Sequence, residues 1–403
     1  FETFVTPADN MLPPDNFQET PEPVTAHRTS PTNIGLYLLS SVSAWDFGWI
    51  GALELVERLE ATFASMARMA KHRGHFYNWY DTQDLRPLEP HYLSSVDSGN
   101  LAGHLIALAN ACGSAPAACT PALILGGVAD ALNAVRDAAS RLRRPGASQA
   151  VFWRRLDIDI AQLAAILEQR SDGAESFAQH LHELAAQAAI ISDTVRGIVL
   201  DERDVAAADL QFWADAVSAC IESHTRDRAA PAGGLATRLE VLSETARSTA
   251  LSMEFDFLLD PDRLLLSIGY QASAGALDPS CYDLLASEAR LASFIAIAKR
   301  DVPARHWFRL GRAVAPVGNG AALVSWSGSM FEYLMPSIVM RAPADSVIEQ
   351  TNRLIVRRQI DYAATLKTPW GVSESAYNAR DLDFTYQYSS FGVPGLGLKR
   401  GLS

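Results

Sequence analysis

Long segments with apolar residues at every third or fourth position constrain this chain most. In "WIGALELVERLEATFASMARMAKH", residues 49–72, the apolar positions fall on one stripe, with Glu, Arg and Lys opposite. That period belongs to an amphipathic helix and to no strand. "SGNLAGHLIALANAC" and "TPALILGGVADALNAVRDAASRLRR" follow the same rule, and "IGLYLLSSVSAW" opens a helix that Thr32 or Asn33 can cap. From about residue 148 to residue 254 the chain is alanine-rich, charged and helical, including "ESFAQHLHELAAQAAIISDTVRGIV". This section reads as outer-layer helices without evident chemistry. The expected fold is mainly α, built from paired helices, with no internal repeat and no low-complexity tract.

The exceptions lie at the two ends. The opening "TPADNMLPPDNFQETPEPVTAHRTSP" is too rich in proline for regular helix, so residues 1–31 are expected as an extended arm on a body formed by 32–403. After Phe255 two hairpins are expected: "FDFLLDPDRLLLSIGY" around "DPDR", and "RLGRAVAPVGNGAALVSWSG" bending at "GNG". "CYDLLASEARLASFIAIAKRD" and residues 344–364 read as helix, and "FTYQYSSFGVPGLGLKR" as strand and loop.

Charge and composition exclude several functions. A formal net charge of −12 leaves no basic stripe for nucleic-acid phosphates and suits a neutral or cationic ligand. With 48% hydrophobic and 20% charged residues among 403, the chain can bury a large core. Its longest apolar run, "PALILGGVADALNAV", is broken by Asp130 and falls short of the ~18 residues a membrane span needs. No direct membrane insertion by this stretch is expected. The chain starts at Phe1 without a signal peptide, so a piece of a longer polypeptide is expected. Cys112, Cys119, Cys220 and Cys281 have neither zinc spacing nor disulfide density, and read as reduced thiols in a cytosolic setting.

Candidate chemistry sits at loop-to-helix junctions. "RGHFYNWYDTQDLRPL" sets Phe76, Tyr77, Trp79 and Tyr80 beside Asn78 and Asp81. Sugars stack their C–H faces on aromatic rings while amides and carboxylates take the hydroxyls, so this composition suits a sugar cleft. "SSVDSGNLAGHL" offers Asp97, Ser98 and Asn100, where Asp97 or Ser98 could equally serve as a helix cap. "SWSGSMFEYLMP" adds Trp326 and Glu332, the glutamate standing either as a ligand or in a structural ion pair. Glu288 lies in "YDLLASEARLASF" among apolar neighbours that disfavour its ionised form, as a general acid requires; an ion pair with Arg290 or Arg263 is the alternative. Glu374 has no adjacent cation and stands between Trp370 and Tyr377. Two carboxylates in an aromatic-lined cleft are the working parts of most glycosidases. "HLHEL" lacks the zinc-protease spacing, "GLGLKRG" opens no nucleotide-binding helix, and "LDIDI" reads as a solvated helix face. No metal or cofactor is expected.

Seven strings carry a more specific signal: "AHRTSPTNIGLYLLS", "RGHFYNWYDT", "SSVDSGNLAGHL", "SCYDLLASEARLASFIAIAK", "HWFRLGR", "SWSGSMFEYLMP" and "WGVSESAYN". They closely resemble the central, glucoamylase-like cyclization domain of bacterial cyclic β-1,2-glucan synthases, and the likeness runs from "FVTPADNMLPPDNFQE" to "FGVPGLGLKRG". The resemblance implies a single (α/α)6 barrel with a few short hairpins near its cleft. It implies an anomer-retaining transglycosylase that cuts linear β-1,2-glucan and closes it into a ring. Matched motif by motif, Glu288 of "ASEAR" takes the acid/base role and Glu374 of "GVSES" the nucleophile role. The acid is implied to act through a hydroxyl of the bound sugar, so the carboxylates can stand farther apart than the ~5–5.5 Å of ordinary retaining enzymes. Tyr77, Trp79, Asp97, Asn100, Trp326, Glu332, Trp370 and Tyr377 are the expected glucan contacts. The implied neighbours are a glycosyltransferase and a phosphorylase-like domain of one polypeptide, on the cytoplasmic side of the inner membrane. An endo-β-1,2-glucanase of the same fold and a non-catalytic glucan-holding module are the rival readings.

Overall fold

Ser30 and Pro31 begin the first long helix: the serine hydroxyl accepts the Asn33 N–H (3.2 Å), and proline at the first helical position loses no hydrogen bond. The cap is thus Ser30, ahead of the expected Thr32 or Asn33. The structure, a computed structural model, describes residues 1–20, 22–114, 119–143, 150–169, 173–199, 205–229, 233–373, 375–380, 386–389 and 391–398. Its helices are α1 (Pro31–Asp46), α2 (Ala52–Arg68), α3 (Ser95–Ser114), α4 (Pro121–Leu142), α5 (Ala150–Leu167) and α6 (Ala174–Val199). They continue with α7 (Val205–Ala229), α8 (Gly234–Leu251), α9 (Arg290–Lys299), α10 (Arg305–Arg309), α11 (Met330–Leu334) and α12 (Val347–Leu366). The strands pair in short antiparallel ladders of two or three. The four cysteines are unpaired.

The chain groups into two compact units. One comprises Ser40–Glu60 and Ala111–Leu242. In it α4 packs on α7 and α5, α5 on α6, and α6 on α7. The expected alanine-rich helical section therefore falls on α5–α8. Positions three and four apart, such as Val128, Leu132 and Val135 on α4 or Leu184, Ala188 and Ile191 on α6, are fully buried in its core. Each large aliphatic side chain removed from water in this way contributes about 1.5–3 kcal/mol.

The other unit comprises Phe1–Leu39, Ala61–Asn110 and Ser243–Ser403. Its proline-rich arm is held by specific bonds: Asn10 donates to the Thr82 and Gln83 carbonyls (2.8 Å each), and Ser65 donates to the Asn10 carbonyl (2.5 Å). Buried Asp9 accepts from Thr82 (2.5 Å), and Arg28–Thr29 pairs with Tyr80–Asp81. Both expected hairpins form. Leu259–Asp260 pairs with Leu265–Leu266, and Asp260 Oδ1 accepts the Asp262 and Arg263 N–H groups (2.9 Å each) to shape the turn. Val314–Val317 pairs with Gly320–Leu323, where Gly318 takes the left-handed conformation that glycine adopts without strain. The tail strand Tyr386–Ser389 pairs with Ser375–Arg380.

One expected helix starts late. Residues 281–289 are not helical, and α9 begins at Arg290. Leu284 bridges to Gly311: Leu285 N–H reaches the Gly311 carbonyl (3.0 Å) and Gly311 N–H the Asp283 carbonyl (2.6 Å). The backbone groups that a helix would use are committed to a distant segment, which local periodicity cannot reveal.

Candidate active site

The strand Tyr92–Ser94 pairs with Gly269–Gln271, and Ser95 seals the junction by donating its N–H to Ile268 (3.1 Å) and its hydroxyl to Ser267 (2.6 Å). Helix α3 leaves directly from that strand. Ser94, and neither Asp97 nor Ser98, caps it by accepting the Asp97 N–H (3.1 Å). Helix α9 then approaches α3 closely, because Gly99 and Gly103, four residues apart, present no side chain to it. A Cβ at Gly99 would stand 2.3 Å from that of Ala292, and one at Gly103 would stand 2.8 Å from Leu291. Glu288 lies two residues before α9, in a turn where its carbonyl accepts the Leu291 N–H (3.0 Å). The close approach brings it to Asn100.

A chain of hydrogen bonds follows. Asn100 Nδ2 donates to Glu288 Oε2 (3.1 Å) and to Thr32 Oγ1 (3.2 Å), and Thr32 donates to Asp97 Oδ1 (2.6 Å). With the Asn78 amide turned so that its nitrogen faces the carboxylate, it donates to Asp97 Oδ2 (2.9 Å) and accepts from Trp79 Nε1 (3.1 Å). Five residues on three segments are thereby tied to Glu288. Burial raises the Asp97 carboxyl above its ordinary pKa, opposed by hydrogen bonds from Thr32 and Ser94.

The arm contributes to the same place. Arg28 holds its guanidinium 4.8 Å above the Trp79 ring and is itself fixed by Asp15, with Nη2 to Oδ2 at 3.0 Å. One face of Trp79 is therefore occupied by the protein. Half-buried Tyr77 lies 5.2 Å from the His91 ring. Behind the turn, buried Arg290 gives its donors to the carbonyls of Ser287 (3.2 Å), Glu332 (3.4 Å) and Tyr333 (2.6 Å). Burial brings this guanidinium down to about 10, with the Glu288 charge acting the other way. Arg263, the other expected partner of Glu288, instead lies against Asp260 and the Pro279 carbonyl.

The remaining expected residues fall in different surroundings. Glu332 is buried, and its carboxylate accepts from the Ser325 (2.8 Å) and Ser327 (2.6 Å) hydroxyls and from backbone N–H groups of 327–329. With Ser329 it forms a capping box at the start of α11. Its oxygens are filled by its own loop, so this geometry favours an anchor over a sugar contact. Trp326 is half-buried and Trp370 is 50% exposed. Glu374 lies outside the described residues. The Tyr377 backbone belongs to the strand Ser375–Arg380, but its side chain is also outside them.

Sequence reading missed Thr32 and Arg28 as parts of this site, named Arg290 only as an alternative ion-pair partner of Glu288, and noted Asn78 only in passing. Thr32 and Arg28 precede Glu288 by more than 250 positions, and no local pattern signals their arrival. A buried histidine was missed too. His75 bonds the Ser98 hydroxyl (2.8 Å) and the Glu254 carbonyl (2.6 Å), and burial lowers it to about 4.

A helical scaffold with a few short hairpins places the chain in a glucoamylase-like fold class. A Bacteroides caccae protein whose crystal structure is described as that of a "putative glucoamylase" has this fold. The two match with a TM-score of 0.50 at 10% identity, over 96% of this chain and 71% of that one. The fold class is accordingly mainly α, of the (α/α)6 type, with few short strand pairs. By sequence, the chain is similar to a segment of the cyclic beta-(1,2)-glucan synthase NdvB of Rhizobium meliloti. It is 49% identical over 412 residues, covering 100% of this chain and 14% of the relative. No family model matches the chain.

Proposed function

We propose that this chain is the ring-closing catalytic domain of a cyclic β-1,2-glucan synthase: an anomer-retaining transglycosylase acting on linear β-1,2-glucan. The whole-length identity to a segment of such a synthase supports the substrate class. The observation that carries the catalytic reading is Glu288, held by Asn100 at the end of a hydrogen-bond chain that includes Trp79.

In this reading Glu374 attacks the anomeric carbon while the glycosidic C–O bond breaks. The leaving oxygen takes a proton supplied by Glu288 through a hydroxyl of the bound sugar. A hydroxyl at the chain's own non-reducing end then attacks the glycosyl-enzyme, returns its proton to the Glu288 carboxylate and frees Glu374. Ring closure competes with water at about 55 M, whereas an oriented intramolecular acceptor can reach effective molarities of ~10⁵ M or more. Tyr77, Trp79, Trp326, Trp370 and Tyr377 hold the acceptor end and limit water access. Asp97 and Asn100 complete the polar part of the site through their bonds to Thr32 and Glu288. The domain works within a longer membrane-associated polypeptide that carries the transferase and phosphorylase-like regions, facing the cytoplasm. Among the described residues no helix is long and apolar enough to cross a membrane.

The purified domain, incubated with long linear β-1,2-glucan beside Glu374→Gln and Glu288→Gln, tests this by product mass. Products lighter than linear chains by one water, absent with both variants, are expected. Linear fragments alone would move the domain to the endo-glucanases. Intact glucan with the unaltered domain would leave only a holding role.

A further inference from the structure

The bonds around Asn100 run in one direction, and that direction has a consequence for Glu288. The Thr32 hydroxyl gives its single proton to Asp97 Oδ1 (2.6 Å), so its lone pairs must face Asn100. Both protons of the Asn100 amide are then engaged, one by Thr32 and one by Glu288 Oε2. The opposite amide orientation would set its oxygen against two acceptors. The Asn100 carbonyl oxygen is buried and has no partner among the described residues, so nothing offsets that cost. Asn78 locks the second Asp97 oxygen. The asparagine therefore has one available orientation, fixed from a carboxylate two bonds away.

We infer that Thr32 and Asn100 are positioning residues: the Asp97–Thr32–Asn100 relay holds Oε2 of Glu288 and so orients the carboxyl that carries the catalytic proton. This rests on the acid/base reading of Glu288 and deepens it. It also changes the role of Asp97 and Asn100 from sugar contacts to parts of the acid's mounting. A carboxyl free to rotate about its last bond would present its proton in the productive direction only part of the time, and misplacement on the ångström scale can cost about 100-fold in rate. Charged groups near Glu288 include Arg290, whose guanidinium points to backbone carbonyls, and Asp97 at the far end of the relay.

The test is the pH profile of kcat for glucan turnover by the purified domain, with Thr32→Val, Thr32→Ser, Asn100→Ala and Glu288→Gln beside it. Loss of an N–H donor removes stabilisation of the ionised glutamate, so its pKa rises. The alkaline limb, where the acid loses its proton, should move up by about one pH unit in Asn100→Ala. kcat should fall on the order of 10- to 100-fold with KM little changed. Thr32→Val should repeat this more weakly, and Thr32→Ser, which keeps the hydroxyl, should restore the profile. A change confined to melting temperature, or a rise in KM alone, in the folded variants would overturn the inference while leaving Glu288 as the acid. Should Asn100→Ala fail to fold, the Thr32 pair decides by the same criteria. If Glu288→Gln keeps full activity, the acid/base reading falls and the inference falls with it.

Discussion

Trp79 shows how one side chain serves two neighbours. Its indole N–H supports Asn78, which supports Asp97, while its ring lies under the Arg28 guanidinium. With one face taken by the protein, only the other can meet a sugar. Replacing Trp79 by alanine removes both the ring and the N–H, and should raise the share of linear hydrolysis products as water reaches the glycosyl-enzyme. Phenylalanine keeps a ring face and should raise it less. Mass analysis of products checks this, and an unchanged linear-to-cyclic ratio in Trp79→Ala would remove Trp79 from the acceptor site. Glu332 carries the opposite lesson. In sequence it stood either as a ligand or in a structural ion pair, and five surrounding donors make it instead the buried anchor of its own loop.

Among the elements, the contact of α3 with α9 decides where the site forms. The helix–helix distance is set by Gly99 and Gly103 against Ala292 and Leu291, and Glu288 is suspended from the start of α9. A methyl group at position 99 has no room, since its nearest neighbour would be the Ala292 Cβ at 2.3 Å. Gly99→Ala should therefore destabilise the protein by about 1–3 kcal/mol, despite alanine's better helix propensity. Chemical denaturation measures the loss. The same variant should lose turnover beyond its loss of stability, because displacing α9 moves Glu288 off Asn100. Stability equal to the unaltered protein would show that the helices can part freely. The apolar spacing of "YDLLASEARLASF" led the sequence reading to start this helix too early, because the same residues suit an irregular buried segment paired with Gly311.

The molecule as a whole carries a pH dependence that its net charge does not reveal. His75 and His104 are both fully buried, and burial lowers each to about 4. An unfolded histidine takes a proton near pH 6.5, so below that value the unfolded state binds more protons than the folded one. Stability is then lost as pH falls from 6.5 toward 4, by about 2 kcal/mol per histidine at pH 5. Asp97, raised by burial, acts in the opposite sense in acid. Thermal unfolding between pH 7 and pH 4.5 should show a falling melting temperature. His104→Leu should flatten that fall, since neither ring nitrogen of His104 has a hydrogen-bond partner among the described residues. An acid limb unaltered in His104→Leu would assign the dependence to other groups.

Periodicity and punctuation in the sequence determined the helices, the arm and the hairpins, because helix amphipathicity, proline's missing donor and glycine's turn geometry all act within a few residues. The same local reading singled out Glu288, since a carboxylate in an apolar run is visible without knowing the fold. Only the tertiary structure decided which groups Glu288 meets. Thr32, Asn78, Asp97 and Asn100 reach it through strand pairing and a glycine-permitted helix contact, and the bonds between them span up to 188 positions of chain. Hydrogen bonds of that kind depend on where packing carries each backbone segment. No propensity or spacing in the chain encodes them one residue at a time.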